Sequence, residues 1–138
     1  MFLPMEDARI ASIDVGDIAE IAANVLTSSG HEGKTYPLTG PRALTMTEVA
    51  EKLSAATGKT IRYVNVPAED ARKAQLASGM PPYLADALFE LFAERRNGKE
   101  AKVWPDAERL LGRPPTSFSE FARRNAAVFR GEVPPPNV

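Results

Sequence analysis

The chain has 138 residues, 43% of them hydrophobic and 25% charged, and its formal net charge is −1. Such a length is typical of a single domain that buries a core without disulfide or metal cross-links. Because cysteine is absent and His31 is the only histidine, the sequence excludes a disulfide framework, a thiolate metal site and a histidine-rich metal centre.

The first predicted elements are a strand and the helix that follows it. Residues 9–15 alternate in the pattern of a strand, and apolar residues at helical spacing continue to about Ser28. Asp17 and Glu20 have the spacing of a capping box, in which the Asp17 carboxylate accepts backbone amide protons. We therefore interpret Asp14 and Asp17 as residues that fix the junction between strand and helix.

A second strand and helix are predicted next, followed by a third strand. Residues 34–39 predict a strand at the edge of a sheet, because Pro37 cannot donate to a ladder. A second capping box at 45–48 opens a helix that Gly58 is placed to end. Residues 61–66 alternate and predict the third strand.

The second half of the chain is predicted to be helical. Apolar residues recur at helical spacing between glycine and proline breaks near 68–77, 81–96, 105–111 and 117–129. The end of the chain, 131–138, contains three consecutive prolines and predicts a flexible tail. The order β-α-β-α-β followed by helices indicates an α/β fold with parallel strands.

No group of residues has the pattern of a catalytic centre. The glycines form neither a G-x-G-x-x-G nor a G-x-x-x-x-G-K motif, so the chain has no predicted phosphate-binding loop. His31 lies between two glycines in a predicted exposed turn, which does not suit a general base. We therefore predict no catalytic residue and no metal ligand in this chain.

Apolar residues in the predicted loops are the candidates for a binding site. Methionine and aromatic side chains outside the periodic helix faces often line small-molecule pockets, and they equally suit a surface that meets a protein partner. Both interpretations stay open. The candidate pocket residues are Phe2, Leu3, Pro4, Met5, Met80, Tyr83 and Trp104.

The charge and hydropathy patterns limit the partners. Near-neutral net charge argues against a nucleic-acid partner, which normally requires an excess of positive charge. No apolar run reaches the roughly 20 residues that cross a bilayer, so no membrane partner is expected. Residues 1–5 are too short for a signal peptide, and the expected location is the cytoplasm.

Several motifs together resemble one known family. The segments at 9–19, 35–41, 45–50, 61–66 and 111–115, the last followed by two phenylalanines, resemble the C-terminal half of NmrA-like proteins. These proteins are atypical members of the short-chain dehydrogenase/reductase superfamily. They include NAD(P)H-dependent quinone and azo-type reductases and redox-sensing regulators.

The resemblance implies a partial Rossmann-type fold that continues into a helical substrate lobe. In such proteins the N-terminal half binds the dinucleotide, and this sequence does not contain that half. Residues 1–130 would form the substrate-binding lobe, with Phe2 to Met5 at the mouth of the substrate cleft, while Asp14 and Asp17 would shape the lobe. Gly16 departs from the family pattern, since many relatives have arginine there. NAD(P) is implied for the full-length family, while this chain alone is expected to bind no cofactor and to be inactive.

Two functional hypotheses follow. In the first, the chain is the substrate-binding portion of an NAD(P)H-dependent oxidoreductase and needs a Rossmann half as its partner. In the second, it is a stand-alone module that binds a small molecule or another protein and forms a homodimer, because an exposed apolar face favours self-association.

Overall fold

A computed structural model of the chain describes residues 1–134, and helices account for most of their regular structure. The two strands are β1 (Phe2–Leu3) and β2 (Val64–Asn65). The helices are α1 (Val15–Thr27), α2 (Met46–Thr57), α3 (Ala68–Ala77), α4 (Pro82–Arg96), α5 (Asp106–Leu111), α6 (Phe118–Arg124) and α7 (Ala126–Arg130). Within residues 1–134 no helix is both long and apolar enough to cross a membrane. Of the predicted tail at 131–138, residues 135–138 lie outside the described part of the chain.

The predicted ends of α2 are confirmed. The Thr45 hydroxyl accepts the Glu48 amide proton, and the Glu48 carboxylate accepts the Thr45 amide proton, which completes the capping box. At the other end Gly58 has φ 71°, in the left-handed region where glycine is favoured, and its amide donates to the Ser54 carbonyl. The capping box of α6 at Ser117 and Glu120 is also confirmed.

The last predicted helix is divided in two at Asn125. The backbone of Asn125 has φ −102° and ψ 16°, which is outside the helical range, so α6 ends there and α7 begins. Both its backbone amide, at 3.0 Å, and its side-chain amide, at 2.9 Å, donate to the Phe121 carbonyl oxygen. The prediction of one continuous helix over 117–129 is therefore wrong at this residue.

The predicted cap of α1 is also wrong. The helix begins at Val15, and Asp14 is its N-cap, with the carboxylate accepting the Gly16 amide proton at 2.7 Å. Asp17 lies inside the first turn and is buried, so it does not form a capping box with Glu20. Asp14 and Asp17 both fit the sequence pattern of an N-cap, and Asp14 is the one that occupies this position in the structure.

The strands predicted at 9–15 and 34–39 do not form, and the backbone hydrogen bonds of the first segment go to unrelated parts of the chain. Ile10 and Leu44 exchange two backbone hydrogen bonds of 3.0 Å in an isolated antiparallel bridge. The neighbouring Ala11 donates to the Glu100 carbonyl and accepts from the Gly40 amide. An extended segment whose partners change at every residue cannot build a ladder.

The two strands that do form are parallel and short. Phe2 pairs with Val64 and Leu3 with Asn65, so the third predicted strand at 61–66 is reduced to two residues. The sequence predicts a loop at Phe2 and Leu3, which form the partner strand β1, and this prediction is wrong. The parallel pair with surrounding helices is an α/β fold, as predicted for the class.

The helices pack against one another, and six of the eleven buried apolar residues described are alanines. Helix α2 packs against α6 and α7, α3 packs against α4, and α1 packs against α5. Helix α3 also contacts β1, which places a helix beside the strand pair. The buried apolar residues are Met5, Ala11, Ile21, Leu44, Ala50, Leu53, Ala85, Phe92, Ala107, Ala122 and Ala126.

Candidate functional site

A groove between the strand pair and α3 is the candidate binding site. It has a volume of about 440 Å³, within the range of small-molecule pockets. One wall is formed by the start of the chain, and the opposite wall by the end of β2 and one face of α3. The lining residues are Phe2, Leu3, Pro4, Val66, Asp70, Ala71, Ala74, Gln75 and Ser78.

Backbone pairing brings the two walls together. The Val64 amide donates to the Met1 carbonyl at 2.9 Å, and the Val66 amide donates to the Leu3 carbonyl at 3.4 Å. Pro67 follows at once and is the N-cap of α3, because its fixed φ suits the start of a helix. The strand pair thus leads directly into the helix that faces β1.

The Tyr63 hydroxyl is hydrogen-bonded to the start of the chain, next to the groove. Its oxygen lies 3.1 Å from the Leu3 carbonyl oxygen and 2.9 Å from Asn65 Oδ1, and it accepts the Met5 amide proton at 3.2 Å. Burial raises the pKa of this hydroxyl, and nearby acidic side chains raise it further. Tyr63 therefore stays protonated and holds the wall in place, which does not suit an acid–base catalyst.

The chemistry of the groove suits an apolar ligand. Asp70 is its one charged lining residue, and most other lining side chains are apolar or small. Phe2 is 72% exposed, so its ring is open to a flat partner molecule. The groove is equipped to bind and orient a ligand, whereas a paired acid and base does not occur among its lining residues.

Three of the seven predicted pocket residues meet in this groove. Phe2, Leu3 and Pro4 line it, while Met5 is only 1% exposed and lines a different cavity beside Arg96. Met5 therefore lies apart from the three residues that precede it.

The other three predicted pocket residues lie elsewhere. Met80 is half-buried just after α3, and its amide donates to the Gln75 carbonyl at 3.1 Å. Tyr83 is 76% exposed at the start of α4. The Trp104 amide donates to Thr39 Oγ1 at 2.9 Å, and the Lys102 ammonium lies 3.4 Å from the centre of the Trp104 ring. Trp104 lines a separate cavity, so the structure does not join these residues to Phe2.

The helical wall of the groove is not among the residues predicted from the sequence. Ala71, Ala74 and Gln75 follow one another at spacings of three residues and one residue, which places them on one face of α3, and Ser78 is the C-cap of that helix. The small side chains of Ala71 and Ala74 let a ligand approach the helix closely. Alanine is common throughout helices, so the sequence alone does not mark this face.

Asp17 joins α1 to a distant part of the chain. Its carboxylate is 2% exposed and accepts the Thr116 amide proton at 2.6 Å, the Thr116 hydroxyl proton at 3.1 Å and a proton from Arg113 Nη2 at 2.9 Å. Burial by itself raises the pKa of this carboxyl, but the bonds from Thr116 and Arg113 outweigh burial and lower it. Asp14 is ion-paired with Arg124 in the same region.

The starts of the described helices do not favour the pyrophosphate of a dinucleotide. Five helices carry an acidic residue in the first turn, and such a charge opposes a bound anion; these helices are α1, α2, α3, α5 and α6. Helix α4 begins with Pro81 and Pro82, which have no amide protons, and α7 has five residues. Residues 1–134 also contain no cluster of acidic or histidine side chains that could hold a metal ion.

Comparison with known proteins gives consistent results. The family model described as "NmrA-like family" matches residues 1–122. The NAD(P)H azoreductase of Xenophilus azovorans is 43% identical over 93% of this chain and 45% of its own length. Quinone oxidoreductase 2 of Escherichia coli K12 is 35% identical over 83% of the chain and 40% of its own length.

A solved structure has the same fold over most of the chain. The NADPH-dependent quinone oxidoreductase QOR2 from Escherichia coli, complexed with NADPH, superimposes with a TM-score of 0.82 at 32% identity. The match covers 90% of this chain and 44% of that one. The chain therefore spans less than half the length of the relatives it matches.

Proposed function

The chain belongs to the NmrA-like family, and we propose that it forms the substrate-binding part of an NAD(P)H-dependent reductase of quinones or azo compounds. The observation that carries this proposal is the groove beside β1. Its apolar walls and the exposed ring of Phe2 suit a flat aromatic electron acceptor. The groove lies in a chain that is 43% identical to an azoreductase.

We further propose that the strand pair belongs to a larger parallel sheet of the Rossmann type. Within residues 1–134, β1 pairs with β2 on one side only. A two-residue parallel pair has little stability by itself, and parallel sheets are normally extended and covered on both faces. In this proposal a strand from outside residues 1–134 pairs along the other edge of β1.

The dinucleotide is then held outside this chain. The helix starts of residues 1–134 do not fit a pyrophosphate, while the relatives contain more than half their length beyond the matched region. In this proposal the chain binds and orients the electron acceptor and excludes water from it. Catalysis requires both parts, so the isolated chain is inactive.

A chimeric enzyme tests this proposal. We expect this chain to restore NADPH-dependent reduction of an azo dye or quinone when it replaces the matching part of the Xenophilus azovorans azoreductase. In the chimera, Phe2→Ala is expected to lower kcat/KM about fivefold, because the substrate loses an aromatic contact worth roughly 1 kcal/mol. Initial rates measured against substrate concentration give this ratio.

The matched control is Tyr83→Ala, which removes an aromatic ring of 76% exposure that lies outside the groove. It should leave kcat/KM unchanged. The proposal fails if the isolated chain binds NADPH stoichiometrically in a fluorescence titration and turns over a quinone alone. It also fails if Phe2→Ala and Tyr83→Ala lower kcat/KM equally.

One feature favours a second function, that of a self-associating module. Helix α1 presents an apolar stripe that its own fold leaves open, formed by Val15, Ile18, Ala22 and Leu26 at spacings of three, four and four residues. Val15 is 77% exposed and Leu26 is 85% exposed. Two copies that pack these stripes together would bury the apolar side chains symmetrically.

Sedimentation velocity distinguishes this second function. If α1 forms a dimer interface, the wild-type chain should sediment as a dimer and Leu26→Glu should sediment as a monomer. Asn24→Glu places the same charge on the opposite face of α1 and should not change the dimer. A wild-type chain that stays monomeric across a wide range of concentrations would reject the self-associating module.

A further inference from the structure

A second cavity lies between α2 and α6, apart from the proposed substrate groove. Its volume is about 350 Å³, and it shares no lining residue with the groove beside β1. The Ile10–Leu44 bridge forms its floor, and the helices form two of its sides. The side chains lining it are those of Ile10, Ser12, Pro41, Arg42, Leu44, Met46, Val49, Lys52, Ser117, Phe118 and Ser119.

Lys52 brings an unbalanced positive charge to this cavity. Its side chain is half-buried, and Nζ donates to Ser119 Oγ at 3.2 Å. None of the ion pairs among residues 1–134 includes Lys52. An ammonium has three protons to donate, so two remain for another partner.

The neighbouring charges do not compensate Lys52. Glu48 lies one turn earlier on α2, but its carboxylate is bound to Arg9, Arg42 and the Thr45 amide. The Arg42 guanidinium, which also lines the cavity, shares Glu48 with Arg9, so these three groups together keep one positive charge. A ligand in this cavity would therefore meet a net positive charge, to which Lys52 contributes an ammonium that has no carboxylate partner.

Ser119 adds a second donor beside the ammonium. Its oxygen accepts the proton from Lys52, so its own hydroxyl proton remains to be donated. Ser117 is already engaged with Glu120 in the cap of α6. The two donors lie 3.2 Å apart, and both can meet the oxygens of one carboxylate.

Most of the remaining lining is apolar. Leu44, Met46, Val49 and Phe118 surround the space below the two donors. A neutral apolar molecule would leave the Lys52 charge without a partner. A small inorganic dianion would leave the apolar walls in contact with water. The cavity is complementary to a molecule that has one negative group and a compact apolar body.

We propose that this cavity binds a small organic monocarboxylate, with Lys52 and Ser119 on its carboxylate and the apolar walls around its body. The site is independent of the substrate groove and of the proposed reductase function. Binding joins α2 to α6 and stabilises the folded chain, because a ligand that binds only the native state raises its stability.

The test uses phenylacetate as the probe, with its neutral amide, phenylacetamide, as the ligand control. We expect phenylacetate to raise the Tm of the wild-type chain and to shift the NMR amide signals of residues in α2 and at 117–119. Phenylacetamide and inorganic phosphate should bind at least about tenfold more weakly, because each lacks one of the two complementary features.

Two variants locate the site. Lys52→Met keeps most of the side-chain length and should weaken phenylacetate binding at least about tenfold, whereas Lys34→Met removes an equal charge at an exposed position and should not change it. Ser119→Ala should weaken binding several-fold without loss of fold. Equal binding by Lys52→Met and Lys34→Met, equal binding of acid and amide, or shifts confined to the β1 groove would each overturn the proposal.

Discussion

Replacing Gly40 by alanine is expected to destabilise the fold by about 3 kcal/mol or more. A Cβ atom at this position would lie 2.0 Å from the carbonyl oxygen and 3.0 Å from the carbonyl carbon of Ser12. Both are backbone atoms, so no side-chain rotation relieves the clash, and the segments around residues 12 and 40 must separate. The Gly40 amide donates to the Ala11 carbonyl at 3.1 Å, and this bond would break as well. Urea unfolding followed by circular dichroism measures the loss.

Gly33→Ala is the matched control for this substitution. At Gly33 an added Cβ meets nothing within 4 Å, but the backbone has φ +68°. The expected cost is the strain of a left-handed alanine, about 1 kcal/mol. If Gly40→Ala lowers the free energy of unfolding no more than Gly33→Ala does, residues 12 and 40 do not approach each other as closely as described.

Removing the carboxylate of Asp17 is expected to cost about 3 kcal/mol of unfolding free energy. Asp17→Ala leaves the Thr116 amide and hydroxyl without their acceptor in a buried place, and it deprives Arg113 of its buried partner. The substitution also releases α1 from the segment that precedes α6. The midpoint of urea denaturation should fall with an unchanged slope.

Glu20→Ala is the control, because Glu20 binds the same Arg113 guanidinium at 2.5 Å from a side chain that is 45% exposed. An exposed ion pair contributes little, so this loss should stay below about 1 kcal/mol. Comparable losses for Asp17→Ala and Glu20→Ala would contradict the special position of Asp17.

The pH dependence provides a second readout of Asp17. The folded state lowers the pKa of this carboxyl below its unfolded value of about 3.9. Its contribution is therefore complete above the unfolded pKa and is lost as the pH falls through the folded pKa. The stability difference between wild type and Asp17→Ala should be constant near neutral pH and should shrink in the acid range.

Local signals allowed most helices to be predicted from the sequence. The capping boxes at 45–48 and 117–120 and the glycine at Gly58 act within one turn of the chain, so the sequence contains the complete interaction. The same reasoning failed at Asp17, because its partners are 96 to 99 residues away. No residue near Asp17 in the sequence indicates that its carboxylate will bind Thr116 instead of capping α1.

The strand predictions failed for a related reason. A strand requires a partner, and the alternating pattern of 9–15 shows only that the segment is extended. The actual strand pair joins residues 2–3 to 64–65, whose pairing depends on the position of the whole first half of the chain. Of the predicted pocket residues, Phe2, Leu3 and Pro4 line the candidate groove, whereas the alanines of α3 that form its other wall are not distinguished in the sequence from those of any other helix.

The long-range bond between Asp17 and Thr116 has a consequence for synthesis on the ribosome. The chain must grow by 99 residues after Asp17 before its backbone partner exists, which takes about 5–20 s at ordinary rates of translation. During that interval the Asp17 carboxylate stays hydrated, because burial without a partner is costly. We therefore expect the contact between α1 and the segment around Thr116 to form only after residue 116 has been synthesised.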